Sequence, residues 1–394
     1  QTQTRAQEAT AQQAEWQGAD TCIDRADSGD AQVINRPLQG WGDMPVLNEV
    51  DLGLLPTMGV GSYASPAWLT ATRRVLRAGD AGPADMEEAI QDAIKIAVWD
   101  QEEAGLDIVT DGEIRRQRFL WNIVEQLSGL KLIPAQRKLG VMSYDSAPRF
   151  ETVERVSAPN GLGLVGEYQY VRTLTDKPVK VCCPGPLTIA LPITPKGGYA
   201  NGDYLPLLYD LAAIVNRELR QVVAAGASFI QVDEPSAAGR TPVLPVSETV
   251  KLFNTAVEGV NAKIALHICF GNNQGRPAMK RTYRPLFPEI LAVNADQFAL
   301  EYANREMAEL DVWREYGGER ELAAGVVDVK SMYLETPEDV AERIRTVLMY
   351  VKPDKLYLTC DCGFSASSRG LARAKLQALV AGARIVRSEI AGRP

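Results

Sequence analysis

Lys263-Ile264-Ala265-Leu266-His267-Ile268-Cys269-Phe270 is a short apolar run whose only metal-binding side chains arrive at its end. Its length and content suit a buried strand. The same plan recurs in both directions along the chain. Earlier runs span Leu54 to Tyr63, Asp107 to Glu113, Val179 to Pro186 and Ser228 to Pro235. Later runs span Gln297 to Ala303, Leu322 to Lys330 and Leu356 to Gly363. Helical patterns lie between them, near 83–104, 206–225, 337–350 and 368–388. The first carries Met86, Ile90, Ile94 and Val98 on one stripe and stops at Gly105, a fair C-cap. Eight buried-type strands alternating with helices predict an α/β fold with a parallel sheet, and eight strands close a TIM barrel. An open doubly wound sheet is the competing fold, but no GxGxxG follows the first run to support a dinucleotide-binding version.

The first 50 residues are rich in Gln, Ala, Asp and Gly and lack periodicity, so they are expected to form an N-terminal arm. Residues 51–394 are then one barrel domain. A long insertion at 114–178 follows the second strand, and a segment of that length at a barrel mouth suggests a lid.

Composition narrows the function. A formal charge of -8 argues against nucleic acid or an anionic membrane as partner. No apolar stretch approaches the length of a membrane span. No basic region followed by an apolar core opens the sequence, so no signal peptide is expected. Six Cys in 394 residues do not make a disulfide framework and fit a reduced, cytoplasmic protein.

Polar residues cluster at the run ends, where a TIM barrel keeps its chemistry. His267, the single histidine of the chain, stands two residues before Cys269, so both side chains share one strand face. Imidazole and thiolate are preferred zinc donors, and zinc takes about four ligands. Strand six offers Glu301. Strand eight offers Cys362 nearest its end, with Cys360 on the same face as the alternative. Cys182 and Cys183 read as core or supporting residues. Glu113 and Asp233 face the same mouth and could meet a substrate ammonium group, or could pair with Arg115, Arg116 or Arg240. Glu234 alternates away from Asp233 and reads as support. Lys330 could hold an anionic group of the substrate or pair with Glu301 or Asp328.

Several motifs in order carry a resemblance. They are Leu55-Pro56-Thr57 with Val60-Gly61-Ser62-Tyr63, Gly105 through Glu113, Gln231-Val232-Asp233-Glu234-Pro235, His267-Ile268-Cys269 and Asp361-Cys362-Gly363. Together they resemble the catalytic barrel of the cobalamin-independent methionine synthase family, in its short form, within a superfamily shared with epoxyalkane:coenzyme M transferases. The resemblance runs from about residue 54 to 390. It implies zinc held by His267, Cys269, Glu301 and Cys362. It implies that Glu113 and Asp233 bind the amino-acid part of homocysteine and that Gly61 and Ser62 contact its carboxylate. The implied reaction is methyl transfer to the homocysteine thiol, giving methionine. Zinc would deprotonate a thiol whose ordinary pKa is about 8.5 and keep it nucleophilic.

Departures from the family pattern bear on the methyl donor. Lys330 stands where the long enzymes carry a histidine on strand seven. Ile114 to Phe119 lacks the Asn-Asp-Met pattern of the folate users, and Cys182-Cys183-Pro184 lacks an aromatic residue for a pterin. The donor is therefore either methyltetrahydrofolate or a methylated corrinoid protein. Alkyl transfer to another thiol, such as coenzyme M, is the alternative reaction; its sulfonate would suit Lys330 and the arginines at 115–118 but leaves Glu113 and Asp233 without a partner. A non-catalytic zinc-binding barrel is the remaining reading, and a closed structural site would not need the ring of polar strand ends. The sequence leaves a homo-oligomer open.

Overall fold

The computed structural model describes residues 51–116, 120–137, 147–239, 243–273 and 275–392. The expected arm at 1–50 lies outside them, as does Arg240. The strands in chain order are β1 (Ser128–Ile133), β2 (Arg149–Ser157), β3 (Val181–Pro184), β4 (Ile193–Thr194), β5 (Phe229–Asp233), β6 (Lys263–Ile268), β7 (Gln297–Glu301), β8 (Glu321–Val327) and β9 (Leu356–Cys360). Six of them form a parallel sheet in the order β3-β5-β6-β7-β8-β9.

Two further segments complete the ring. Thr57 bridges Leu358 of β9, Met58 bridges Ile108, and Val109 bridges Val179 just before β3, all in parallel. Backbone bonds from Met58 N to Leu358 O (3.0 Å), Ile108 N to Thr57 O (3.1 Å) and Lys180 N to Val109 O (2.9 Å) hold these joins. The first two expected strands are thus present as single bridges and not as ladders. Asp107 supplies one reason. Its Oδ2 accepts the Thr57 N–H and the Thr57 hydroxyl, both at 2.7 Å, so a side chain takes the backbone donor a ladder would use. The interior packs across the same segments. Met58, Ile108, Phe229, Ala265, Ala299 and Ala323 come from six different strand positions, yet form one buried cluster, distinct from the larger core under the helices. Such a layer needs strands that curl round on themselves.

The helices follow the expected pattern. Pro83–Ala104 ends on Gly105 with φ 90°, and Tyr204–Ala224, Pro337–Leu348 and Arg369–Ile390 cover the outside. Arg369–Ile390 packs on both Pro337–Leu348 and Pro83–Ala104, bringing the last helix beside the first of the ring. The 114–178 insertion is structured where described. A short helix, Trp121–Glu125, leads into the antiparallel pair β1/β2, β4 adds a parallel edge to β2, and helix Leu164–Arg172 rejoins the barrel wall. Among the described residues no helix is long and apolar enough to cross a membrane.

Candidate active site at the strand ends

Strand alternation decides which residues meet. Phe229 and Ala265 belong to the interior layer, so Gln231 and Asp233 on β5, and His267 and Cys269 on and after β6, point the same way. Ala299 and Glu301 repeat the parity on β7. The site sits where these rows end.

The sulfur side comes first. Cys269 Sγ and Cys362 Sγ lie 3.4 Å apart although the residues come from different strands. Sulfurs sharing a tetrahedral zinc stand roughly 3.8 Å apart, given a Zn–S distance of about 2.3 Å. The Cys269 thiol against its sulfur brings Cys362 down to about 7, against the opposing effect of burial and with help from Lys330 and His267. Cys269 is pushed well above its ordinary value by the same contact and by burial. Cys360, the alternative ligand, is buried in the main core and its thiol is pushed up by burial.

The other two expected ligands are each half-occupied. His267 Nδ1 lies 2.7 Å from Asp233 Oδ1. A carboxylate only accepts, so Nδ1 donates the proton of this bond and Nε2 is the ring nitrogen outside it. That Nε2 is buried without a partner, as is Glu301 Oε1. Glu301 Oε2 takes the Phe270 N–H at 3.2 Å and pairs with Lys330 Nζ at 2.7 Å. Burial opposes the charge on Lys330, but Cys362, Glu301 and Asp361 outweigh it and hold its pKa above the ordinary value. Asp361 also accepts the backbone N–H groups of Tyr302 and Ala303, at 2.9 Å each, and so fixes the turn after Glu301. Among the described residues no group of three or more His, Cys, Asp or Glu side chains is gathered as a finished metal cage. The donor types, the facing sulfurs and the two unpartnered buried atoms fit zinc, with Lys330 supplying positive charge beside Glu301.

The carboxylate side lies against the segments that run to Gly61 and Glu113 and against β3 and β5. Glu113 has φ 52°, a left-handed backbone that is costly for a side-chain residue and recurs at functional turns. Asp111 Oδ1 holds this turn by accepting the Glu113 N–H at 3.0 Å. A Cβ on Gly61 would stand 2.3 Å from Glu113 Oε1, so only glycine admits that carboxylate. Burial pushes Glu113 up to about 8, against the pull of Arg116. Arg116 Nη1 lies 3.5 Å from Glu113, its Nη2 lies 3.5 Å from Glu167, and Nη2 donates to the Cys182 carbonyl. Arg115 pairs with Glu87 instead. Asp111 Oδ2, Glu113 Oε2 and Asp233 Oδ2 are all buried and unpartnered. Three such oxygens, with Arg116 already shared between Glu113 and Glu167, leave the pocket able to take a further positive charge.

Ser62 joins the two sides. Its carbonyl accepts the Phe364 N–H at 2.8 Å, and a Cβ on Gly363 would fall 1.8 Å from its Oγ. Glu234 plays the supporting part expected of it. Its oxygens accept the N–H groups of Leu187 and Thr188 at 3.0 Å and the Thr188 hydroxyl at 2.7 Å, pinning the turn after β3. Sequence reasoning missed the Asp233–His267 contact, Glu167, and the buried polar pair Lys180 and Gln231. A polar residue inside an otherwise apolar run was the available signal for the last two.

The chain is similar to known proteins. Residues 55–385 match the family model described as "Cobalamin-independent synthase, Catalytic domain". A methionine synthase of Saccharolobus solfataricus is 36% identical over 345 residues, covering 86% of this chain and 97% of that protein. The solved B12-independent methionine synthase of a Shewanella species, in complex with selenomethionine, is 29% identical with a TM-score of 0.73, over 86% of this chain and 100% of its own. A methyltransferase from Methanosarcina mazei, 15% identical, shares the fold with a TM-score of 0.56 over 86% of this chain and 95% of its own. The chain therefore belongs to the cobalamin-independent methionine synthase family, whose catalytic domain it carries from residue 55 to residue 385.

Proposed function

We propose that this protein transfers a methyl group to the sulfur of homocysteine, forming methionine, with zinc held by His267, Cys269, Glu301 and Cys362. The observation that carries the reading is the 2.7 Å bond between His267 and Asp233, because it ties the sulfur side of the site to the carboxylate side. A ligand with a thiol at one end and an ammonium at the other matches both. When bound, zinc lowers the pKa of a coordinated thiol and so supplies a thiolate nucleophile at neutral pH.

The chain's own residues do the rest. Asp233 and Glu113 take the ammonium group with their unpartnered oxygens, and Gly61 and Ser62 line the carboxylate end. Asp233 also keeps the His267 proton on Nδ1. Lys330 stays paired with Glu301 and restrains that carboxylate. Burial of these oxygens excludes water, which strengthens each charge contact. In the reaction the bond between the methyl carbon and the donor breaks with its electron pair going to the donor, a carbon–sulfur bond forms from a sulfur electron pair, and the thiol proton ends on the departing folate nitrogen or, with a corrinoid donor, in solvent. The donor is methyltetrahydrofolate or a methylated corrinoid protein. The selenomethionine in the Shewanella relative, a selenium analogue of the proposed product, supports this assignment.

The test is a thiol-consumption screen of zinc-loaded protein. Homocysteine and coenzyme M are compared with both methyl donors and with epoxides. Methionine formation from homocysteine is expected. Consumption of coenzyme M alone would transfer the protein to the alkyltransferase reading.

A further inference from the structure

Below the site, inside the barrel, Lys180 is 1% exposed although it is a lysine. Its Nζ donates to the Gly59 carbonyl at 2.7 Å and to Gln231 Oε1 at 2.6 Å. Gln231 is fully buried and its Nε2 reaches the Val60 carbonyl at 2.8 Å and Asp233 Oδ1 at 2.6 Å. The direction of this amide is fixed from both ends. Val60 O and the Asp233 carboxylate can only accept, so the NH2 group must face them, and Oε1 must face the lysine, which donates. Asp233 Oδ1 then receives two donors, Gln231 and His267, and Oδ2 receives none. One oxygen is saturated and the other is left for a ligand.

We infer that Lys180 is a positioning residue for the substrate's ammonium group: through the Gln231 amide it locks the Asp233 carboxylate so that Oδ2 alone faces the ligand. This rests on the homocysteine reading above. Lys180 acts through its bonds to Gln231 and the Gly59 carbonyl. Without it Gln231 Oε1 is a buried acceptor with no donor, and the amide no longer has a unique orientation. Asp233 then turns, and the oxygen reserved for the ammonium is no longer held.

The test uses full-length, zinc-loaded protein and two thiols that differ only in the amino group, homocysteine and 4-mercaptobutanoate. Dissociation constants are measured by calorimetry for wild type, Lys180→Met and the isosteric Gln231→Glu, with circular dichroism to check folding. Wild type should prefer homocysteine at least tenfold. In each folded variant that ratio should fall to near one, while binding of 4-mercaptobutanoate changes less than about threefold. Equal weakening of both thiols, or an unchanged ratio, overturns the positioning role and leaves Lys180 a core residue; so does loss of fold in both variants. A wild type that does not distinguish the two thiols overturns the ammonium reading itself, and the role of Lys180 with it.

Discussion

In the ligand-free protein Glu113 holds a proton at neutral pH, and an arriving ammonium group should drive that proton off. Burial pushes the Glu113 carboxyl up to about 8, with Arg116 as the main opposing influence and Asp233, Asp111 and Glu167 adding to the rise. At pH 7 such a group is protonated in about 0.9 of the molecules. An ammonium in contact favours the carboxylate and pulls the pKa back toward the ordinary range. Binding should therefore release somewhat less than one proton from Glu113 at pH 7, and roughly half at pH 8. The ligand to use is 2-aminobutanoate, which has the ammonium and carboxylate of homocysteine but no thiol, so no proton comes from sulfur. Calorimetric titrations in phosphate and in Tris, whose ionisation enthalpies differ widely, report the number released. Glu167, pushed up to about 7 by burial, adds a share of its own, and Glu113→Gln isolates the part belonging to Glu113. Identical binding enthalpies in the two buffers, or an undiminished release in Glu113→Gln, would refute the reasoning.

Stability should follow the same group. The folded-state pKa of Glu113 lies above its ordinary 4.5, so its contribution is whole below about pH 4.5 and is lost as pH rises to about 8. Glu113→Gln does not titrate, so its advantage over wild type in urea denaturation should grow from pH 5 to pH 8, with an upper bound of roughly 4 kcal/mol at about 1.36 kcal/mol per pH unit. Cys362→Ser should lose zinc while Cys360→Ser keeps it, the latter costing about 1–3 kcal/mol for a hydroxyl placed in the core; metal analysis and denaturation separate the two. Glu234→Ala strands the N–H groups of Leu187 and Thr188 and should destabilise the protein by roughly 2–4 kcal/mol in equilibrium denaturation.

The barrel was legible in the sequence because burial on both faces makes each strand a short apolar run, and because polar residues break those runs only at one end. His267, Cys269, Glu301 and Cys362 could be named for the same reason. The first two strands were less legible. Runs from Leu54 and from Asp107 read like the others, but Asp107 spends its carboxylate on Thr57, and single bridges replace ladders there. The choice between Cys360 and Cys362 rested on distance from the strand end, and the 3.4 Å contact with Cys269 supplies what sequence spacing cannot. The partner of Glu113 was among the arginines considered, but Glu167, on the last helix of the insertion, was beyond any spacing argument. Asp233 was read as facing substrate or an arginine; its bond to His267 depends on the register between neighbouring strands, which pairs Asp233 with His267 directly.

X-ray absorption at the zinc edge, on protein purified without added metal and on protein reconstituted anaerobically, tests the central claim most directly. One zinc per chain with two sulfur, one imidazole nitrogen and one carboxylate oxygen donor is the expected result, with the imidazole contribution and the metal both lost in a folded His267→Ala. A chain that takes up no zinc under either condition, or binds it without sulfur, would contradict the account.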